Sequence, residues 1–322
     1  MKIASQTEYV SARLNDYEAV RMVCEAGFDA IDFSMFHMAK DDCPLNTASY
    51  KDIVKELKNI ADGYGKPFCQ AHAPFPTLRD GDEEYNKNML PKVKRSIEIA
   101  GMLGVENIVV HPVFTEMVSS KGLYYKDNKF EKNMEMYMGL LDDAKNSGVK
   151  IALENMFGKK DPVTRKQTPN VCSLPEEFAQ FYDALPKEYF TCCVDIGHCA
   201  LVGSTPEAML RGLGDRVGCL HVHDNDTFDD WHFPPFTLDL NWTEIAKALA
   251  DIDYKGYITL ESDNILADIP TELFGADEGA QGDARNNSPQ AAHQVGIDLQ
   301  EFHQRRVQAP EKRPQKDQRS TG

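Results

Sequence analysis

Short apolar segments alternate with longer segments of helical periodicity along most of the chain. The apolar segments predict eight β-strands, at residues 2–7, 30–35, 68–75, 107–114, 149–156, 189–198, 217–224 and 256–263. The periodic segments predict a helix after each strand, near 16–26, 48–64, 83–103, 131–147, 175–184, 206–212, 242–251 and 265–274. The strands are continuously apolar rather than alternating, which is typical of parallel strands covered on both faces.

Eight strand–helix units in roughly 250 residues predict an α/β fold of the (β/α)8 TIM barrel type. A doubly wound open sheet would need a Gly-rich phosphate turn after the first strand. The sequence there, SQTEYVSARLND, contains no glycine. We therefore predict one barrel domain over residues 1–275. Residues 276–322 are polar, with seven acidic and seven basic side chains, and predict a poorly ordered, flexible C-terminal tail.

Charge and cysteine content narrow the class of protein. The chain carries 35 Lys and Arg against 51 Asp and Glu, a net charge of −16. This acidity argues against a nucleic-acid partner, because phosphate neutralisation needs excess basic residues. No apolar run approaches the roughly 18 residues of a membrane span, so we expect no membrane partner. The eight cysteines form no CxxC motif, and several lie in apolar strands, which favours reduced thiols and a cytoplasmic location.

Ionisable side chains gather where the predicted strands end. The carboxyl ends of barrel strands meet at one mouth, where active sites lie. Six of the nine histidines are among these residues. Crowded carboxylates repel one another unless a proton or a cation bridges them. Mixed His, Asp and Glu ligands suit Zn, Mn or Co, and carboxylates also suit Mg, so we predict a divalent metal ion. The residues are His72, His111, Glu154, Asp195, His198, His221, His223, Asp224, Asp230, His232 and Glu261.

The order of the short motifs resembles one family. HAPF, VVHP, LEN, DxGH, HxHD, DxH and LES each end a strand or open a loop. Together they resemble the xylose-isomerase-like barrel superfamily over residues 1 to about 270. That superfamily contains sugar and sugar-phosphate isomerases and epimerases, hydroxypyruvate isomerases, inosose dehydratases and endonuclease IV.

The resemblance implies roles for individual residues. It implies one divalent ion held by Glu154, Asp195, His221 and Glu261. His221 is preferred to His223 as the ligand because it occupies the HxxD position of HVHD. Glu154 and Glu261 would also transfer protons, and His198 would act on the substrate. We expect further substrate contacts from His72, His111, His223, Asp230 and His232.

The expected activity is that of an isomerase acting on a small sugar or sugar phosphate through a metal-stabilised enediolate. A ketose epimerase, an aldose–ketose isomerase and a hydroxypyruvate isomerase all fit, and the resemblance allows a homo-oligomer. A phosphate group would need a basic anchor, for which the loop after strand five offers Lys159, Lys160, Arg165 and Lys166.

Two alternatives remain. The first is a multi-zinc phosphodiesterase like endonuclease IV, whose extra ligands have counterparts at His72, His111, His198, Asp230 and His232. The acidity of the chain, and the short acidic stretch VHDNDTFD after His221, argue against it. The second alternative is a noncatalytic sugar sensor, which no feature favours.

Overall fold

Eight parallel strands, one for each predicted apolar segment, form the centre of the protein. The computed structural model describes residues 1–114, 116–119, 122–125, 128–262 and 264–270. The barrel strands are β1 (Lys2–Gln6), β2 (Ala30–Ser34), β3 (Phe68–His72), β4 (Asn107–Val109), β5 (Lys150–Glu154), β6 (Phe190–Asp195), β7 (Val217–His221) and β8 (Tyr257–Leu260).

The strands follow one another around a nearly closed barrel. Their order in the sheet is β7-β6-β5-β4-β3-β2-β1-β8, with every pair parallel. An isolated parallel bridge between Val222 and Leu260 links the two ends of this order. The fold is therefore the predicted (β/α)8 TIM barrel, and all strand ends that carry the candidate residues open at one mouth.

Helices cover the outside of the barrel close to where the sequence predicts them. The prediction near 131–147 corresponds to two consecutive helices, and the short helices Glu8–Arg13 and Ile196–Leu201 were not predicted. Within the described residues the helices are α1 (Glu8–Arg13), α2 (Asp16–Glu25), α3 (Tyr50–Gly63), α4 (Glu83–Leu103), α5 (Lys129–Gly139), α6 (Leu141–Ser147), α7 (Pro175–Asp183), α8 (Ile196–Leu201), α9 (Pro206–Leu213) and α10 (Trp242–Asp251). None of them is both long and apolar enough to cross a membrane.

The chain after β8 forms a 3-10 helix, Asn264–Asp268. The predicted helix near 265–274 therefore begins as a tighter turn, and its last residues lie outside the described residues. One compact unit runs from Met1 to Ile269. The predicted barrel boundary at residue 275 and the predicted tail over 276–322 also lie outside the described residues.

Two antiparallel hairpins extend the loops at the mouth. One pairs Glu116–Ser119 with Gly122–Tyr125, and the other pairs Phe157–Lys160 with Gln167–Pro169. The sequence did not predict either of them. Strand β4 ends at Val109 rather than near residue 114, so residues 110–114 of the predicted strand lie beyond it.

The apolar core has two parts. The larger lies between the outer faces of the strands and the surrounding helices, and it includes Phe33, Ile151 and Phe190. The smaller, inside the barrel, is formed by Val109, Ala152, Cys193 and Cys219. This inner layer is the floor beneath the strand ends. All eight cysteines are free thiols, and seven of them are buried.

Candidate metal centre and active site

The four predicted metal ligands lie together at the barrel mouth. Glu154 ends β5, Asp195 ends β6, His221 ends β7, and Glu261 directly follows β8. One ligand atom from each lies within 4.8 Å of the others. Asp195 and His221 are direct partners in the β6–β7 register, which brings two of the four side by side. No residue of this group is more than 6 % exposed.

His221 lies at the centre of this group. Its Nδ1 atom is 2.7 Å from Glu154 Oε1 and 3.0 Å from Glu261 Oε2. Its other ring nitrogen, Nε2, faces Asp32 Oδ2 at 3.6 Å. Burial alone would lower the pKa of His221, but the Glu261 and Glu154 carboxylates outweigh burial and raise that pKa well above its usual value. Negative potential thus concentrates where the two glutamates meet.

The residues present fit a divalent cation. His221 Nε2 is buried without a hydrogen-bond partner, and so is Glu154 Oε2, which lies 2.6 Å from His111 Nε2 without hydrogen-bond geometry. In the described part of the chain, the three carboxylates form their ion pairs with histidines only. Buried carboxylates without Lys or Arg partners are costly unless a cation compensates them. Three carboxylates and one imidazole suit Mn, Co, Zn or Mg.

Two further donor groups adjoin this centre. His72, His111 and Glu154 form one, in which the two Nε2 atoms of the histidines lie 3.0 Å apart. The other contains His198, His223, Asp230 and His232. The structure therefore brings together every residue predicted to contact substrate, and every counterpart of the extra ligands of endonuclease IV.

Neighbouring charges set the protonation of this site. Burial alone would raise the pKa of Glu154, but His221 and His111 outweigh it and lower the pKa well below its usual value. Burial lowers the pKa of His111. For His198 burial acts in the same direction, but Asp195 and Asp230 raise its pKa to about 10. At neutral pH the site therefore combines an ionised Glu154 with a cationic His198.

Asn155, directly after the candidate ligand Glu154, positions the next strand. Its Nδ2 donates to the Asp195 carbonyl at 3.0 Å, and its Oδ1 accepts from the Asp195 amide at 2.8 Å. The carbonyl of Asn155 lies 2.8 Å from His198 Nδ1. One residue thus fixes both a candidate ligand and a candidate catalytic histidine.

Other supporting residues were not predicted from the sequence. Gln6 Nε2 donates to Glu261 Oε1 at 3.1 Å, and Gln70 Nε2 donates to Asp32 Oδ2 at 3.1 Å. Asp32 is fully buried on β2, within the apolar segment AIDFSM. A carboxylate within an apolar segment is unusual, and this feature of the sequence could have identified Asp32 as a site residue. Gln6 gives a weaker signal, since a polar residue at a strand end is common.

Asp224 has a structural role. Its carboxylate accepts hydrogen bonds from the amides of Thr237, Leu238 and Leu240 and from the Trp242 indole. These bonds fix the loop that leads into α10. Asp224 thus faces away from the donor groups.

The basic residues after β5 bind the loop after β7. Lys160 forms an ion pair with Asp229. Lys166 Nζ donates to the Thr227 carbonyl at 2.7 Å and lies 4.1 Å from the centre of the Phe228 ring. Two of the four candidate phosphate anchors are therefore used to hold this loop, which continues into Asp230 and His232.

Aromatic rings line the mouth beside the histidines. The centre of the Phe36 ring lies 4.4 Å from that of His72, Phe75 lies 4.8 Å from His111, and Phe157 lies 4.8 Å from His198. These edge-on contacts restrict the orientation of the imidazole rings and give the mouth apolar walls. Phe75 remains 38 % exposed, so its ring is available to a ligand.

A family model described as a xylose isomerase-like TIM barrel matches residues 20–281. A protein of Methanocaldococcus jannaschii without an assigned function is 27 % identical over 220 residues, which cover 66 % of this chain and 70 % of that protein. Fructoselysine 3-epimerase of Shigella flexneri is 22 % identical over 256 residues, which cover 77 % of this chain and 86 % of the enzyme.

Solved structures share the fold. A D-tagatose 3-epimerase-like protein superposes with a TM-score of 0.64 at 24 % identity, covering 83 % of this chain and 96 % of that one. The IolI protein, solved with a zinc atom, superposes with a TM-score of 0.61 at 20 % identity, covering 81 % of this chain and 89 % of that one.

Proposed function

The chain belongs to the xylose isomerase-like TIM barrel family, and on this basis we propose that it is a divalent-metal-dependent sugar epimerase or isomerase. The observation that carries the proposal is the approach of Glu154 and Glu261 to the same nitrogen of His221, at 2.7 and 3.0 Å. Relatives named as 3-epimerases of fructoselysine and of a D-tagatose type support a ketose as the substrate.

The reaction begins with removal of a proton from the carbon beside a carbonyl group. Glu154 is the base in this proposal, because its neighbours His221 and His111 keep it ionised. Glu261 approaches from β8, three strands away around the mouth, and would return a proton to the opposite face of the carbon. A cation held by Glu154, Asp195, His221 and Glu261 would supply Lewis-acid stabilisation of the developing oxygen charge.

The surrounding residues would bind and orient the sugar. His198, cationic beside Asp195 and Asp230, would donate a hydrogen bond to a substrate oxygen. His111, His72, His232 and Asp230 surround the mouth and would contact hydroxyl groups. His223 is fully buried with Nε2 3.0 Å from Asp195 Oδ1, so in this proposal it acts through Asp195.

A small, uncharged sugar suits this mouth better than a sugar phosphate. Lys160 and Lys166 pair with the loop after β7, and the donor groups at the mouth consist of histidines and carboxylates. Fixed negative charge at a mouth repels a phosphate group. The free thiols favour a reducing compartment, so we assign the activity to the cytoplasm.

The assay offers free aldoses and ketoses to protein loaded with Mn, Mg, Co or Zn and analyses the products by chromatography. The proposal predicts conversion of a ketose to its epimer or isomer. Glu261→Gln should abolish turnover while the protein still folds, and full turnover by that variant would contradict the two-glutamate mechanism. The exposed Glu56→Gln on α3 is the matched control and should leave turnover unchanged.

The metal centre and the two donor groups beside it could hold several zinc ions, so a multi-zinc phosphodiesterase is the second candidate function. Elemental analysis and cleavage of DNA at an abasic site separate the two candidates. Three zinc ions in each chain together with abasic-site cleavage would replace the isomerase proposal. A smaller metal content with ketose turnover would support it.

A further inference from the structure

Cys193 lies on the floor of the barrel, directly beneath the candidate metal centre. It belongs to β6 and is the register partner of Glu154 on β5 and of Cys219 on β7. It is fully buried in the inner cluster of the barrel. The preceding residue, Cys192, points the opposite way and packs in the outer core.

The sulfur of Cys193 adjoins two of the four candidate ligands. Its Sγ atom, one Glu154 carboxylate oxygen and one His221 ring nitrogen lie within 4.8 Å of one another. The side chains of Glu154 and His221 are at most 1 % exposed, and each retains a buried polar atom without a hydrogen-bond partner. Three donors of different type therefore lie close together in the buried interior of the barrel.

We propose that Cys193 supplies a thiolate ligand when a thiophilic divalent cation occupies the centre, so that the chain favours zinc or cadmium over magnesium and manganese. This rests on the metal centre of the proposed function. Thiolate sulfur favours zinc and related soft cations, whereas magnesium and manganese take oxygen ligands. On binding, the thiol proton is lost to solvent and the sulfur forms a bond to the cation, with no change of oxidation state.

The position of Cys193 allows one strand to supply ligands for both soft and hard cations. Asp195 lies two residues further along β6, on the same face of the strand, so sulfur and carboxylate reach the centre from one strand at two depths. A hard cation would be held by the upper oxygen ligands. A soft cation would be drawn toward the floor, between Glu154, His221 and Cys193.

The test replaces the bound cation with Co²⁺ and compares the wild-type chain with Cys193→Ala, Cys193→Ser and the matched control Cys192→Ala. The inference predicts a near-ultraviolet sulfur-to-cobalt charge-transfer band in wild type and in Cys192→Ala, and its loss in both Cys193 variants. Competition with a chelator should show zinc affinity falling about tenfold or more in the Cys193 variants, with manganese affinity unchanged. Circular dichroism verifies that each variant is folded.

A wild-type cobalt spectrum without the sulfur band would overturn the inference, and so would Cys193 variants that bind zinc as tightly as wild type. Neither result would contradict the proposed function, because that function is assayed separately as ketose turnover by the manganese-loaded wild-type chain. The converse outcome is a sulfur-to-cobalt band without turnover of any sugar. It would contradict the proposed function but would still support Cys193 as a thiolate ligand.

Discussion

Gly197 lies so close to His223 that a Cβ atom at position 197 would overlap the imidazole ring. Gly197 is in the first turn of α8, and the ring of His223 packs between it and the parallel ring of His232, 4.1 Å away. The Gly of the DxGH motif therefore has a steric reason, since only a residue without a side chain lets His223 reach Asp195. This contact could not be predicted from the sequence, because Gly197 is on α8 whereas His223 lies in the segment that follows β7.

Gly197→Ala should displace His223 from Asp195. We expect a loss of about 1–3 kcal/mol in the free energy of unfolding, as for other overpacked cores, together with weaker metal binding. Gly63→Ala, where an added Cβ meets nothing within 4 Å, is the control and should be neutral or stabilising. Denaturant unfolding and metal titration measure both. Equal stability of Gly197→Ala and wild type would show that the close packing is not required.

Asp32→Asn tests whether the carboxylate behind His221 orients the imidazole. Asp32 Oδ2 faces His221 Nε2, which directs Nδ1 toward Glu154 and Glu261. Loss of a carboxylate behind a metal-binding histidine typically weakens metal binding roughly 10- to 100-fold, and we expect a decrease in that range by calorimetric titration. The exposed Asp52→Asn on α3 is the control. An unchanged metal affinity in Asp32→Asn would show that Asp32 does not orient His221.

The pair of His37 and Asp16, outside the metal centre, should make stability depend on pH. Their Nε2 and Oδ2 atoms lie 3.2 Å apart, and although burial alone would lower the pKa of His37, the bond to Asp16 raises it to about 10. The folded state therefore binds the His37 proton more tightly than the unfolded state, whose pKa is about 6.5. The stabilisation is complete below that value and is lost as pH rises through 10.

The difference in unfolding free energy between wild type and His37→Gln measures this effect. We expect about 1.5–3 kcal/mol in favour of wild type at low pH, the range for hydrogen bonds to charged groups, declining as the pH approaches about 10. Urea unfolding of both proteins across this range provides the values. A difference that increases with pH would mean that the pair is not formed as described.

The barrel could be predicted because each strand is a separate apolar segment bounded by helical periodicity. The parallel arrangement then places residues such as His72 and Glu154, far apart in the chain, at one mouth. Helix α8 was not predicted because it begins directly after β6, with the side chain of Asp195 accepting from the His198 amide as its N-cap. In the sequence, VDIGH continues the apolar strand without a break.

The finer geometry of the site could not be predicted because it depends on pairings between loops and strands. In the sequence the basic residues after β5 are only candidates for a phosphate anchor, and in the structure Lys160 and Lys166 bind the loop after β7. The hydrogen bond from Gln6 to Glu261 joins the first and last strands of the barrel, because β1 is the neighbour of β8. The contact between Gln6 and Glu261 follows from barrel closure, and its local signal in the sequence is weak.

Hydrogen exchange between a free ketose and deuterated solvent is the decisive test of proton transfer by Glu154 and Glu261, because it detects this transfer even where the product equilibrium is unfavourable. For zinc- or magnesium-loaded wild-type protein, we predict that NMR shows deuterium entering the carbon beside the carbonyl group. Removal of the metal, Glu154→Gln and Glu261→Gln should each suppress this exchange. Absence of exchange with every ketose offered to wild type, or undiminished exchange in both glutamine variants, would contradict the account.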